Sequence, residues 1–351
     1  MKRIFLYSRM KKRIFNFCLL ICFVIATVCR PYTAEAVAMP LAASSAVLLD
    51  GQTRQVLYSK APHTKRAPAS TTKLLTAMVV LDHLSTEQII RVPRGMEYVQ
   101  PSKINLRTGE RFYVRDLLKA LLVNSANDAA ETLAITTAGS LSGFSKLMNQ
   151  KAEAIGAYNS HFVHPAGLPA EGQYSTAYDL AQIIMAASHY SYIVQVLRIR
   201  NATIYSLGGR KIYLKNCNKM LWRTNTIIGK TGWTRNARHC FAGRVQVGGK
   251  EIFVGIMGAP KRQNLWSDLR RIAALPSART QKSGKGSSKK VRNETEKIQL
   301  ALKHAGYFKG SPTGFYGKRT KQAVKNFQKA NGLSTDGIVG PETWKKLKAY
   351  L

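Results

Sequence analysis

Three short strings hold residue types that could carry covalent chemistry: Ser70-Thr71-Thr72-Lys73, Ser125-Ala126-Asn127 and Lys230-Thr231-Gly232. A Ser-x-x-Lys pattern also occurs at Ser8 to Lys11 and at Ser287 to Lys290, in stretches that cannot hold an active site. The order and wide spacing of the three strings are what single them out. Ser70 precedes an apolar segment, Leu74 to Leu81, that reads as a buried helix. Lys73, three residues on, shares the helix face of Ser70. A lysine among Leu74, Leu75 and Ala77 loses solvation, which lowers its pKa and favours the neutral amine. Such an amine can take the proton of a serine hydroxyl and activate it without histidine. A serine at a helix start can also be an ordinary N-cap; Lys73 is what favours the nucleophile.

Ser125 and Asn127 fall in a break between helical runs, where helix capping is the plain alternative. Read as chemistry, Ser125 relays a proton beside Lys73 and the Asn127 amide binds the substrate backbone, while Asp128 fixes the loop. Gly232 lets a peptide approach closely and add along a strand edge. Lys230 and Thr231 then offer a positive charge and a hydroxyl to a terminal carboxylate. That role requires a partly exposed Lys230; the alternative is a solvated surface lysine. The N–H groups of Ser70 and Trp233 are the expected oxyanion donors.

The surrounding pattern supplies the elements that must position these groups. Ser45 to Leu49 and Arg54 to Tyr58 flank Asp50-Gly51 as a hairpin, and Phe241 to Val247 and Ile252 to Met257 flank Gly248-Gly249 as another. Between them lie helical runs at Val114 to Ala138, broken near Asn124 to Asp128, and at Tyr178 to Ala187. Helices enclosed by two hairpins predict an α+β domain whose N- and C-terminal strands share one antiparallel sheet. Residues 276–293 lack acids and are rich in Ser, Gly, Lys and Arg, which predicts a flexible basic linker. Beyond it, Gly314-Phe315-Tyr316-Gly317 and Gly337-Ile338-Val339-Gly340 form a repeat, each leading into a helix. Three short helices around Phe327, Leu333, Trp344 and Leu347 predict a small terminal domain with its own core.

The 351 residues carry a formal charge of +36, and 45% are hydrophobic, enough for a real core. A charge of that size implies a polyanionic neighbour. The N-terminus selects among candidates: basic residues up to Arg13, an apolar run from Phe17 to Val28 and Ala34-Glu35-Ala36 predict a secretory signal cleaved after Ala36, with an uncleaved anchor as the alternative. Export argues against nucleic acid and leaves cell-wall polymer or membrane surface. Cys217 and Cys240 remain beyond the leader; a disulfide and two separate buried thiols are both open. No Cys/His spacing reads as a metal site, and no cofactor is expected. The domain limits expected are 1–36 for the signal, 37–275 for the main domain, 276–293 for the linker and 294–351 for the terminal domain.

From about Ser45 to Leu275 the chain resembles the serine-type D-alanyl-D-alanine carboxypeptidases, the low-molecular-mass penicillin-binding proteins. Pro68 to Lys73, Ser125 to Ala130, Tyr174 to Leu180, Gly229 to Thr234 and Cys240 look like that family's signatures. The resemblance implies a β-lactamase/transpeptidase-like fold, attack on the D-Ala-D-Ala bond of peptidoglycan stem peptides, an acyl-enzyme on Ser70 and covalent inhibition by β-lactams. It makes Ser70, Lys73 and Ser125 catalytic, and Asn127, Lys230, Thr231, Gly232 and Trp233 substrate-binding. His164, in His164-Pro165-Ala166-Gly167-Leu168, stands where Asn is usual and is expected to alter a loop near the site. Residues 294–351 resemble the small peptidoglycan-binding domain of wall hydrolases, with Thr313-Gly314 in place of one copy's usual Asp-Gly. Two rival readings exist. A class A-like β-lactamase needs a glutamate in an ExxLN setting, which neither Glu153 nor Glu171 has. A non-catalytic wall-binding protein has no reason to keep all three motifs.

Overall fold

The computed structural model describes residues 40–282, 294–310, 312 and 316–351. The expected signal, most of the expected linker, and Thr313, Gly314 and Phe315 lie outside the described residues. The two hairpins do share a sheet. Strands β1 (Ser45–Asp50), β2 (Val56–Lys60), β3 (Ile227–Thr234), β4 (Arg238–Val247) and β5 (Lys250–Ala259) lie in the order β2-β1-β5-β4-β3, each neighbour antiparallel. The first and last strands of the domain are therefore joined at the centre of the sheet, and β3 forms one edge.

A helical cluster packs beside the sheet: α1 (Lys73–His83), α2 (Val114–Lys119), α3 (Asn127–Ala138), α4 (Leu141–Ala154), α5 (Ala177–Ala187) and α6 (Ser191–Leu197). Every residue of α1 from Lys73 to Val80 is buried, as its continuous apolar run requires. The break expected near Asn124 is a wide-turn segment, Ala120–Asn124, followed by Ser125 in the left-handed region at φ 62°. A serine held there points away from the helix path, and α3 restarts at Asn127. Asp128 fixes this corner as expected: its carboxylate accepts the N–H groups of Ile104, Leu106 and Ala129. The Tyr174–Leu180 signature has a structural job too. Buried Asp179 accepts from Asn159 N–H and Ser160 Oγ, at 2.6 and 2.7 Å, tying the start of α5 to the preceding loop.

Two expectations about the C-terminal part need correction. Helix α7 (Arg262–Lys282) runs seven residues past the expected linker start at Pro276. Its first turns are anchored by buried Leu265, Trp266, Leu269 and Ile272, and a nucleated helix extends at one hydrogen bond per residue despite a polar composition. The terminal domain forms the three expected helices, α8 (Glu294–His304), α9 (Lys318–Ala330) and α10 (Pro341–Leu347). Its buried residues include Ile298, Leu302, Val324, Phe327 and Leu347, whereas Leu333 and Trp344 are only partly buried. It is also docked rather than merely tethered. Tyr316, 1% exposed, stacks on His63 with ring centroids 4.4 Å apart, and its N–H donates to Tyr178 Oη at 3.0 Å. Lys321 Nζ donates to the Tyr158 carbonyl, and Lys65 pairs with Asp336 at 3.6 Å. This contact lies beside β2, at the opposite edge of the sheet from β3.

Candidate active site

Ser70 sits in a tight turn, Ala69–Thr72, that leads directly into α1. Ala69 is held at φ 48°, an uncommon conformation for a residue with a side chain. The cause is crowding. A Cβ on Gly167 would lie 2.0 Å from the Ala69 carbonyl oxygen, so the loop carrying Gly167 presses on the backbone of the turn. Strand β3 closes the other side, where a Cβ on Gly232 would lie 2.9 Å from Ser70 N and 3.0 Å from Thr71 N. Glycine at 232 thus leaves open the space in front of the Ser70 and Thr71 N–H groups at a helix start, where a developing negative charge is best placed.

Lys73 is fully buried, and its Nζ has three oxygen neighbours: Ser70 Oγ at 2.9 Å, Asn127 Oδ1 at 2.7 Å and the Ala166 carbonyl at 2.8 Å. Burial pushes its pKa well below the ordinary lysine value, and the charge of Lys230 pushes the same way. Cys217, Asp128 and Glu131 oppose that shift. The spacing thus brings the Lys73 amine, its charged form disfavoured by burial, to hydrogen-bond distance of the Ser70 hydroxyl.

The other expected residues converge on the same cleft, with different partners. Ser125 was expected beside Lys73; its Oγ instead receives a hydrogen bond from Lys230 Nζ at 2.9 Å. Lys230 is 1% exposed, not partly exposed, and also donates to the Thr231 carbonyl at 2.9 Å. The inward face of β3 carries its side chain under the cleft floor, so the residue at the surface beside it is Thr231. Burial lowers the Lys230 pKa to about 8. Asn127 was expected to offer its amide to substrate. Its Oδ1 is held by Lys73 and its Nδ2 donates to the Gln100 carbonyl at 2.9 Å, so it orients the lysine. Trp233 is 59% exposed at the rim, next to His239.

The cleft encloses about 1120 Å³ and is lined by Ser70, Ser125, Asn127, Thr231, Gly232 and Trp233 together with other groups. Among residues that the motifs did not announce are Cys217, Trp222 and Trp266, and the cations Arg235 and Arg262. No acidic side chain lines it, and neither Glu153 nor Glu171 does. Cys217 is exposed there and Cys240 is buried, both as free thiols, which settles the open pairing. The Ala166 carbonyl was invisible in advance because a backbone oxygen leaves no mark on residue type. No group of three or more potential metal ligands occurs among the described residues.

An antiparallel sheet whose edge strand faces a Ser/Lys turn across such a cleft defines the serine acyl-transferase class of penicillin-interacting folds. The profile of the D-alanyl-D-alanine carboxypeptidase family matches residues 32–261, and the chain belongs to that family. A peptidoglycan binding domain profile matches residues 291–347. Similar proteins include the D-alanyl-D-alanine carboxypeptidase DacF of Bacillus subtilis, 32% identical over 63% of this chain and 59% of DacF, so the chain spans less than two thirds of that relative. The D-alanyl-D-alanine endopeptidase of Escherichia coli is 32% identical over 66% of this chain and 76% of its own length. The crystal structure of the Streptomyces K15 DD-transpeptidase superposes with a TM-score of 0.65 at 29% identity, covering 68% of this chain and 98% of that one.

Proposed function

We propose that this chain is a serine D-Ala-D-Ala carboxypeptidase that trims the terminal D-alanine from peptidoglycan stem peptides and is acylated by β-lactams. The observation that carries this reading is the desolvated Lys73 amine 2.9 Å from Ser70 Oγ, facing an edge strand across an open cleft. The stem peptide adds along β3 with its terminal carboxylate near Thr231 and the positive charge of Lys230. Neutral Lys73 takes the Ser70 proton as Oγ attacks the penultimate D-alanine carbonyl. The N–H groups of Ser70 and Trp233 receive the oxyanion. Ser125 passes its hydroxyl proton to the departing amine and takes one from Lys230, its hydrogen-bond donor. D-alanine leaves, and water then cleaves the ester and restores Ser70; the water proton returns along that route and Lys73 gives its proton back to Ser70 Oγ. A β-lactam follows the same first step, its ring amide nitrogen being the leaving group.

The terminal domain binds peptidoglycan in this reading, holding the enzyme near its polymeric substrate. Export through the N-terminal signal, with cleavage after Ala36, and attraction of the basic chain to anionic wall polymer or membrane surface complete it. The test is labelling with a fluorescent penicillin alongside D-alanine release from a soluble pentapeptide. Slow covalent trapping with D-alanine release is expected, and Ser70→Ala should lose both while remaining folded. Retained labelling of that variant moves the nucleophile elsewhere, rapid penicillin turnover indicates a β-lactamase, and no label at all indicates a wall-binding protein.

A further inference from the structure

The loop that presses on the Ser70 turn contributes one group to the chemistry, the Ala166 carbonyl. A neutral amine has two N–H bonds and one lone pair. Around Lys73 Nζ, the Asn127 Oδ1 and the Ala166 carbonyl can only accept hydrogen bonds, so together they use both N–H groups. The lone pair is then left for the third direction, toward Ser70 Oγ at 2.9 Å, a shorter contact than the 3.4 Å from that hydroxyl to the Ala166 carbonyl. Without the Ala166 carbonyl, one N–H is free to turn toward Ser70, the wrong orientation for receiving its proton.

His164 bonds the same residue on its other side. The Ala166 N–H donates to His164 Nδ1 at 3.1 Å, and His164 Nε2 lies 3.3 Å from Glu131 Oε1 on α3. One tautomer satisfies both contacts: Nδ1 carries the lone pair and Nε2 carries the proton. The imidazole therefore spans from α3 to the Pro165–Ala166 peptide unit, the one that immediately precedes the unit carrying the Ala166 carbonyl. Thr76 Oγ1 donates to the Pro165 carbonyl, the other end of the peptide plane that carries the Ala166 N–H, while Gln173 holds the N–H groups of Val163 and His164 and the Leu168 carbonyl on the flanks.

We infer that His164 and Glu131 form a positioning pair for the base, fixing the Ala166 carbonyl so that it orients the Lys73 lone pair on Ser70. This rests on the proposed serine mechanism, and it makes His164 a rate-determining support without contact to substrate. Three variants separate the roles. His164→Ala removes the acceptor for the Ala166 N–H. His164→Asn restores an acceptor for the residue two positions on but is too short to reach Glu131. Glu131→Gln keeps an acceptor for Nε2–H and removes the charge.

The measurements are kcat and KM for D-alanine release from a soluble pentapeptide, and the acylation rate and prior non-covalent affinity for a fluorescent penicillin. His164→Ala should lower kcat and the acylation rate by about tenfold, the effect of one lost hydrogen bond, with KM and affinity nearly unchanged. His164→Asn should recover most of that loss, and Glu131→Gln should stay within about threefold of the parent. An unchanged kcat in His164→Ala overturns the inference, as does a loss confined to KM. So does a His164→Asn enzyme as slow as His164→Ala at equal thermal stability. Should His164→Ala not fold, His164→Leu replaces it, keeping bulk without an acceptor. A parent chain that is acylated yet releases no D-alanine would overturn the substrate assignment while leaving the acylation comparison intact.

Discussion

Replacing Lys230 by methionine should make this protein more stable while disabling it. The side chain is 1% exposed, and burial lowers its pKa from 10.5 to about 8. That lowering corresponds to about 3 kcal/mol by which the fold disfavours the charged form relative to the unfolded chain. At pH 7 the folded protein must nevertheless carry that charge. Between about pH 8 and 10.5 the unfolded state keeps a proton that the folded state has released, so the Lys230 contribution rises with pH across that window and is lost again as pH falls through about 8. Methionine has similar length and no charge to desolvate. Its cost is the loss of two hydrogen bonds, to Ser125 Oγ and to the Thr231 carbonyl, about 1 kcal/mol each. The net expectation at pH 7 is a gain of about 1 kcal/mol, or roughly 2–4 °C in Tm for a domain of this size. The assay is thermal unfolding of both proteins from pH 7 to 10, read as a difference so that other titrating groups cancel. The gain should vanish near about pH 9 and reverse by about pH 10, where little of the charge penalty remains and the two lost hydrogen bonds dominate. A variant less stable than the parent at pH 7, or a difference independent of pH, would refute the reasoning. D-alanine release and penicillin acylation should collapse, which would show a buried charge retained for function at the expense of stability.

Two other perturbations test the cleft and the docked domain. Gly232→Ala puts a methyl group 2.9 Å from Ser70 N, in front of the oxyanion donors, and should slow penicillin acylation by roughly 10²–10³-fold, with cooperative unfolding preserved; normal acylation would remove β3 from the oxyanion site. Tyr316→Ala takes the ring from His63 and Tyr178 and should release the terminal domain, seen as faster proteolysis of the full chain, with D-alanine release from a soluble pentapeptide unchanged because β2 and β3 are opposite sheet edges. Acid should act on the parent in the same way. Burial lowers the His63 pKa to about 3, so a released His63 binds a proton that the docked one excludes, and docking weakens as pH falls from about 6.5 toward 3. Proteolysis that does not increase at pH 4.5 would contradict this account.

The residue types and their order already determined which groups meet at the head of α1. A serine three residues before a lysine on an apolar helix implies a desolvated amine beside a hydroxyl, because that proximity is local and the helix repeat enforces it. The two hairpins were equally legible, since alternating β-prone runs around Asp50-Gly51 and Gly248-Gly249 fold locally. Proton routing was not legible. Lys230 meets Ser125 across 105 residues and Lys73 meets Ala166 across 93, and which hydroxyl each amine reaches depends on how the sheet packs on the helices. Lys230 looked like a surface charge from its position in a motif; the pleat of β3 turned it inward. The Ala166 carbonyl and the docking of Tyr316 on His63 likewise follow from tertiary packing alone. A backbone oxygen has no side-chain signature, and an aromatic ring finds its partner only when two separately folding cores come together.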